Sequence, residues 1–245
     1  MIPVRDNIRS RRFPLLTVMF IAINVAVFVY QSGLAPGELR LFFLRHGIVP
    51  VQFNMLPRFL FAGRLDVVYH LLGTLVTGMF IHGNLIHLLG NMLYLWVFGD
   101  NVEDRLGRGR FVVFYILTGA LATLSHIVSA PASTVPLIGA SGAIAGVLGA
   151  YFVSFPGSRI LALVPLFFFL HLTEVPAILF LLFWFVLQLI SGVSALAPGA
   201  VDVVAWWAHI GGFAAGVILV RLMAPRRPRR RPRLDDWGGG GPDVL

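Results

Sequence analysis

Residues 138–156 read IGASGAIAGVLGAYFVSFP. Fifteen residues, Ser141 to Phe155, are apolar or small, and Pro156 then removes a backbone donor and closes the helix. At 1.5 Å per residue such a helix is roughly 22 Å long, short of the roughly 30 Å of hydrocarbon that a spanning helix crosses. A helix too short to span must begin below the membrane surface. Ser141 is therefore expected to be submerged, beneath a cavity held open by neighbouring helices. The approach STVPLIGA (133–140) is non-helical backbone at that depth, tolerable only where it lines a protein-walled or water-filled space.

The rest of the chain supplies those neighbours. Its 245 residues are 58% hydrophobic and 12% charged, whereas a soluble domain carries about a quarter charged residues. Six apolar segments stand out, at about 15–33, 80–99, 110–129, 141–155, 174–193 and 203–223. The expected fold is an all-α, polytopic bundle of six transmembrane helices. Residues 34–80, long and of mixed polarity, are expected to form an interfacial loop with amphipathic helical pieces. The organisation is a basic N-terminus (1–14), a membrane domain (15–223) and an Arg-, Pro- and Gly-rich tail (224–245) whose composition marks it as disordered.

The net charge of +8 comes from arginine alone, concentrated at Arg5, Arg9, Arg11 and Arg12 and in the run Arg226 to Arg233. Such juxtamembrane clusters anchor topology and meet anionic lipid, so membrane lipid is the expected partner and nucleic acid is not. An even number of spans puts both termini on one side. The positive-inside rule makes that side cytoplasmic, with the link DNVEDRLGRGR (100–110) on it as well. No small-residue cleavage site follows Tyr30, so the first helix is expected to be retained. With no cysteine, disulfides and thiolate chemistry are excluded.

Polar groups are costly in hydrocarbon, so those inside the spans point to function. On the fourth segment Ser141 heads a stripe with Ala145 and Gly149, beside a second stripe of Gly142, Gly146 and Ala150. On the sixth, AWWAHIGGFAAG (205–216) sets His209 on one face with Gly212 and Gly216, and Ala208 opens the spacing A-x-x-x-G-x-x-x-G. Two smooth faces let helices approach until a serine and a histidine touch. Counted from residue 203, His209 lies about 10 Å inside the sixth helix, a depth similar to that of Ser141. A neutral imidazole suits the removal of a hydroxyl proton, so Ser141 as nucleophile and His209 as general base is the chemical reading. The second segment carries His87 and Asn91 at i, i+4, with His82 nearer the surface. Their side chains with the Ser141 backbone N–H would cradle an oxyanion. Each feature has a plainer explanation: His87 and Asn91 as interhelical hydrogen bonds, the serine bonded to its own helix, the small residues as packing. Convergence in the outer half of the helices under one topology favours the chemical reading.

These residues, in this order, resemble the rhomboid family of intramembrane serine proteases. The match is H-x4-H-x3-N as His82, His87 and Asn91, then G-x-S-G as Gly139 to Gly142, then A-H-x2-G-x3-G as Ala208, His209, Gly212 and Gly216. FGDNVEDRLGRGRF (98–111) is also similar to the family's connection between second and third helices. The resemblance implies a Ser141–His209 dyad without a third acid, an oxyanion hole of His87, Asn91 and the Ser141 N–H, and a structural role for His82, with Gly139, Gly142, Gly212 and Gly216 supporting. It also implies that the substrate is another protein's transmembrane helix, cut near its outer end, often after a small residue, with no metal and no cofactor. Two features depart from the family pattern. The tyrosine that some members place one turn below the serine is Ala145 here, so Trp206 or Trp207 is expected to orient the imidazole, and the Trp-Arg pair common in the first loop is missing.

Other protease chemistries are set aside. There is no H-E-x-x-H motif, Asp100 and Asp202 lie at segment ends, and Asp202 is about 10 Å of helical rise from His209, too far to complete a triad. The competing class is a catalytically silent rhomboid-like protein that binds transmembrane helices. It would normally have lost the serine or the histidine. Bacterial plasma membrane is the expected location, as all-arginine basicity fits a GC-rich genome.

Overall fold

The computed structural model describes residues 1–166, 169–197 and 204–225; Asp202 and the tail from Arg226 onward lie outside the described residues. Ten helices occur among them: α1 (Leu15–Ser32), α2 (Pro36–His46), α3 (Pro50–Asn54), α4 (Leu56–Phe61), α5 (Leu65–Thr77), α6 (Leu85–Leu106), α7 (Arg108–Ser129), α8 (Ser141–Ser154), α9 (Ala177–Ser194) and α10 (Trp206–Met223). α1, α7, α9 and α10 are long and apolar enough to cross a membrane. α6, which contains His87, Asn91, Asp100 and Asn101, qualifies only jointly with α5, from which it is bent by 84°. α8 has 14 residues and ends before Phe155 and Pro156, the short helix expected from the sequence. Among the described residues, length and apolarity therefore identify four spans, or five with the bent pair, while the short α8 is apolar but below that length.

The fold is mostly helical, but the all-α expectation is corrected by a small sheet. Strands β1 (Ile2–Asp6), β2 (Arg159–Leu166) and β3 (Phe169–Pro176) form an antiparallel sheet in the order β1-β2-β3, at the end of the bundle where α8 finishes and α9 begins. The register Ile2↔Leu163 joins the chain's start to its second half, and Arg159↔Pro176 closes the hairpin of β2 and β3. An apolar run such as RILALVPL can pair as a strand once a distant partner is present, and local periodicity does not reveal that partner. Asp6 ties the sheet to the bundle, accepting hydrogen bonds from Asn101 Nδ2 at 2.8 Å and from the Tyr151 hydroxyl at 2.6 Å.

At this same end α6 and α7 are joined by one residue, Gly107, at φ +81°. That left-handed backbone suits glycine alone at low cost, and it turns the chain within a single residue where a loop over 100–110 was expected. Glu103, buried near the end of α6, accepts the Leu16 N–H at 3.1 Å, the Thr17 N–H at 2.8 Å and the Thr17 hydroxyl at 2.9 Å. An anion there satisfies orphan donors of the first turn of α1 and meets the positive end of its dipole.

α8 is the axis of the bundle. Its residues Ala143 to Tyr151 are all buried, among Phe98, Phe114, Tyr115 and Phe180. α1 and α9 instead turn apolar side chains outward, Val29 at 67% and Val193 at 62% exposure, as lipid-facing helices do.

The segment between α1 and α6 resolves into α2 to α5, so the expected helical pieces exist. Ile48 and Leu137 exchange backbone hydrogen bonds, the Val51 N–H donates to the Ser133 carbonyl, and the Gly139 N–H donates to the Gly78 carbonyl at 2.9 Å. Residues 34–80 thereby stitch down the non-helical stretch that leads into Ser141.

Candidate active site

Ser141 is the first residue of α8, where backbone N–H groups have no acceptor within the helix. The chain enters it through Gly139, at φ +122°, a backbone conformation that side chains disfavour. A Cβ on Gly139 would also stand 2.8 Å from the His87 ring and 3.7 Å from Asn91 Nδ2. The glycine of G-x-S-G is thus required twice, for its conformation and for the approach of two side chains from α6.

His209 lies in the first turn of α10, which starts at Trp206. The helix was expected from residue 203, about 10 Å before His209; among the described residues Val204 and Ala205 are not helical, so His209 stands in the first turn. Depth still matches, since Ser141 also opens its helix. α8 and α10 run parallel in backbone contact: a Cβ on Gly212 would strike the Gly142 carbonyl, one on Gly216 the Gly146 carbonyl, and one on Gly149 the Phe213 carbonyl. Gly142 and Gly146 are equally tight against Ala122 and Thr118 of α7. Between membrane helices no water-driven force acts, so close packing of small residues supplies the attraction. Here it also sets the distance between two side chains.

That distance closes the pair: His209 Nε2 is 2.8 Å from Ser141 Oγ. On the far side of the ring, His209 Nδ1 is 2.8 Å from Gln188 Oε1 on α9. The Trp184 ring of α9 stands 6.0 Å from the imidazole, tilted by 36°, and Trp206 meets it edge-on at 6.2 Å. Of the two tryptophans expected to orient the ring, Trp206 is a neighbour, while the second neighbour is Trp184 and not Trp207. Ala145, where a stacking ring is absent, is buried and packs its Cβ toward Gly212.

The N-terminal half of α6 brings up the polar group from the other side. The Asn84 side chain caps α6 by accepting the His87 N–H at 2.8 Å, which orients that first turn. Asn91 Nδ2 lies 2.9 Å from His82 Nε2, and the His82 and His87 rings are 5.0 Å apart. His82 is fully buried and pinned from α1 by Gln31, whose amide donates to the His82 carbonyl and whose Oε1 accepts the His82 N–H at 3.3 Å. With one N–H of Asn91 directed to His82, its other amide hydrogen is left for a ligand.

A cavity of about 670 Å³ gathers these groups. His87, Asn91, Ser141 and His209 line it together with Tyr94, His126, Trp184 and the loop residues Val135 to Ile138. A serine hydroxyl, an imidazole and a set of amide and imidazole donors thus share one space. Gln188, Trp184 and His126 escape a reading of the sequence. Gln188 carries a signal nonetheless, as a lone amide in an apolar run, and His126 as an ionisable side chain within an apolar segment.

The family model of the Rhomboid domain matches residues 69–226, more than half of the chain. Among curated relatives, Rhomboid protein 1, mitochondrial, of Saccharomyces cerevisiae is 31% identical over 172 residues, 67% of this chain and 46% of that protein. Rhomboid protease GluP of Bacillus subtilis is 41% identical over 76 residues, 31% of this chain and 14% of the relative. Presenilin-associated rhomboid-like protein A, mitochondrial, of Danio rerio is 33% identical over 88 residues, 35% and 23% of the two chains. In each case the match spans less than half of the relative's length.

Proposed function

The chain belongs to the rhomboid family of membrane proteins, and from that premise we propose that it is an intramembrane serine endopeptidase working through Ser141 and His209. The observation that carries this reading is the 2.8 Å contact between His209 Nε2 and Ser141 Oγ at the cavity wall. In the first half-reaction the Ser141 hydroxyl gives its proton to His209 Nε2 as Oγ bonds to the scissile carbonyl carbon. The carbonyl electron pair moves to oxygen, where the Ser141 N–H, the Asn91 amide and the His87 side chain would stabilise it. Collapse of that intermediate breaks the C–N bond, and the leaving amine takes the proton from His209. Water then repeats the sequence on the acyl-serine, releasing the new carboxyl and restoring the serine.

The substrates are transmembrane helices of other proteins, cut near the end of the helix that lies level with Ser141, after a small residue. An extended peptide is needed at the serine, and helix ends unwind more readily than helix centres. Both termini are cytoplasmic in this reading, which the arginine clusters support, and the membrane is a bacterial plasma membrane. His82, Gly139, Gly142, Gly212 and Gly216 support the site.

The test is cleavage of a model transmembrane segment in proteoliposomes. The intact chain is expected to release two fragments and Ser141→Ala none. A folded chain that binds the segment and never cuts it would favour the catalytically silent, helix-binding alternative.

A further inference from the structure

A general base must offer a bare nitrogen to the hydroxyl it deprotonates, so the function of His209 depends on which ring nitrogen holds its hydrogen. Gln188 decides this. Its Nε2 donates to the Trp184 carbonyl, one turn back on α9, at 3.2 Å. Flipping the amide would set two acceptors, Oε1 and the Trp184 carbonyl, against each other, so the orientation is fixed. Oε1 is then the atom that faces His209 Nδ1 at 2.8 Å. An amide oxygen only accepts, so Nδ1 must carry the hydrogen, and Nε2 is left bare opposite the Ser141 hydroxyl at 2.8 Å.

We propose that Gln188 is a positioning residue that holds His209 as its Nδ1–H tautomer, extending the pair to a hydrogen-bonded Ser141–His209–Gln188 array. α9 is built to present it. Trp184, Gln188 and Gly192 recur at i, i+4 and i+8 on one face, and Gly192 lets α9 approach α10, where a Cβ would meet Ile210 Cδ1 at 3.2 Å and Trp206 Cβ at 3.4 Å. Gln188 is 7% exposed. A carboxylate so buried would pay a heavy desolvation cost, whereas an amide satisfied at both ends does not. A neutral partner orients the ring and selects its tautomer without compensating the imidazolium charge. Its loss should therefore cost less than the loss of a triad aspartate.

The catalytic meaning of this assignment rests on the protease reading; the tautomer itself does not. The experiment accordingly has two arms on the full-length chain in lipid bicelles. In the first, ¹⁵N NMR of the imidazoles, with the His209 signals identified by their loss in His209→Asn, reads the tautomer directly. Nδ1–H is expected in the native chain and in Gln188→Glu, where burial favours the neutral carboxyl, whose O–H can donate to the Trp184 carbonyl while its C=O accepts from Nδ1. Gln188→Leu, and Gln188→Asn with its shorter reach, are expected to lose that preference. A native His209 protonated at Nε2 overturns the proposal whether or not the protein hydrolyses anything. In the second arm, cleavage by Gln188→Leu is expected to fall in kcat by about 10- to 100-fold with KM little changed, below the roughly 10⁴-fold seen when a triad aspartate is replaced. Gln188→Glu should recover most of it. Equal kcat in Gln188→Leu and the native chain, or no recovery by Gln188→Glu despite a retained Nδ1–H, overturns the positioning role. A chain that never cleaves but shows the Nδ1–H signal leaves the tautomer assignment standing and removes only the protease reading.

Discussion

Two of the helices that pack against α10, α8 and α9, are held in different ways. α8 meets it backbone against backbone along Gly142, Gly146 and Gly149, with no room for a single added carbon. α9 touches it through side chains, Trp184 and Gln188 on the His209 ring and Gly192 beneath Ile210 and Trp206, while most of its own surface faces outward. Ser141 and His209 stand on the rigid contact and Gln188 on the looser one. Proximity of hydroxyl and imidazole is thus built into the core packing, and the orientation of the imidazole is added from a helix with fewer constraints.

The comparison breaks first at the pair itself. Replacing His209 by alanine leaves α8 and α10 in contact but removes the base, and turnover of a transmembrane substrate is expected to fall by roughly 10⁴-fold or more. Loss of tenfold or less would mean that the close contact has no chemical purpose. A smaller effect is expected at the donors: Asn91→Ala should lower kcat by about 10² to 10³, the value of one oxyanion-hole donor, while the unpaired His82 nitrogen costs only about 1–3 kcal/mol of stability. Unchanged turnover would leave Asn91 only its bond to His82.

Stability sharpens the contrast between the two contacts. In Gly216→Ala the new Cβ meets Gly146 backbone atoms, Cα at 2.7 Å, which cannot move without shifting a helix. A loss on the order of 3 kcal/mol is expected in detergent unfolding. In Gly192→Ala the nearest atom is the flexible end of Ile210, and the gain in helix propensity of about 1 kcal/mol offsets the adjustment, so the net change should stay within about 1 kcal/mol. Equal losses at the two positions would erase the distinction.

The smallest effect lies at the sheet. Burial pushes the Asp6 carboxyl above its usual range, against the lowering effect of its bond from Tyr151. The docked strand therefore binds more protons than the released one, and its stability falls as pH rises from the ordinary carboxylate range through the raised value. Amide exchange of Ile2 to Asp6, corrected for intrinsic rates, should show β1 opening more often at neutral pH than near pH 4. Asp6→Asn should flatten that dependence while keeping an acceptor for Asn101 and Tyr151.

What could be read from the sequence follows the same division. The short α8, Pro156 beyond it and the smooth faces around Ser141 and His209 are local patterns, each with its physical meaning in adjacent residues. The sheet was not legible, because β1 pairs with a strand more than 150 residues away and the apolar run of β2 is equally compatible with a helix. The purpose of residues 34–80 was hidden for a similar reason: their bonds to Ser133, Leu137 and Gly139 are long-range backbone contacts with no side-chain signature. Gln188 falls between the two cases. A lone amide in FWFVLQLISG is a visible anomaly, yet only the fold brings it to the far side of His209.

The central claim is that His209 makes Ser141 a nucleophile. The most direct test is reaction of the folded, full-length chain with a fluorophosphonate, with the adduct mapped by mass spectrometry. A single adduct on Ser141, abolished in Ser141→Ala and strongly slowed in His209→Ala, is the predicted result. Absence of label on Ser141 in the folded native chain, or labelling that proceeds equally fast without His209, would contradict it.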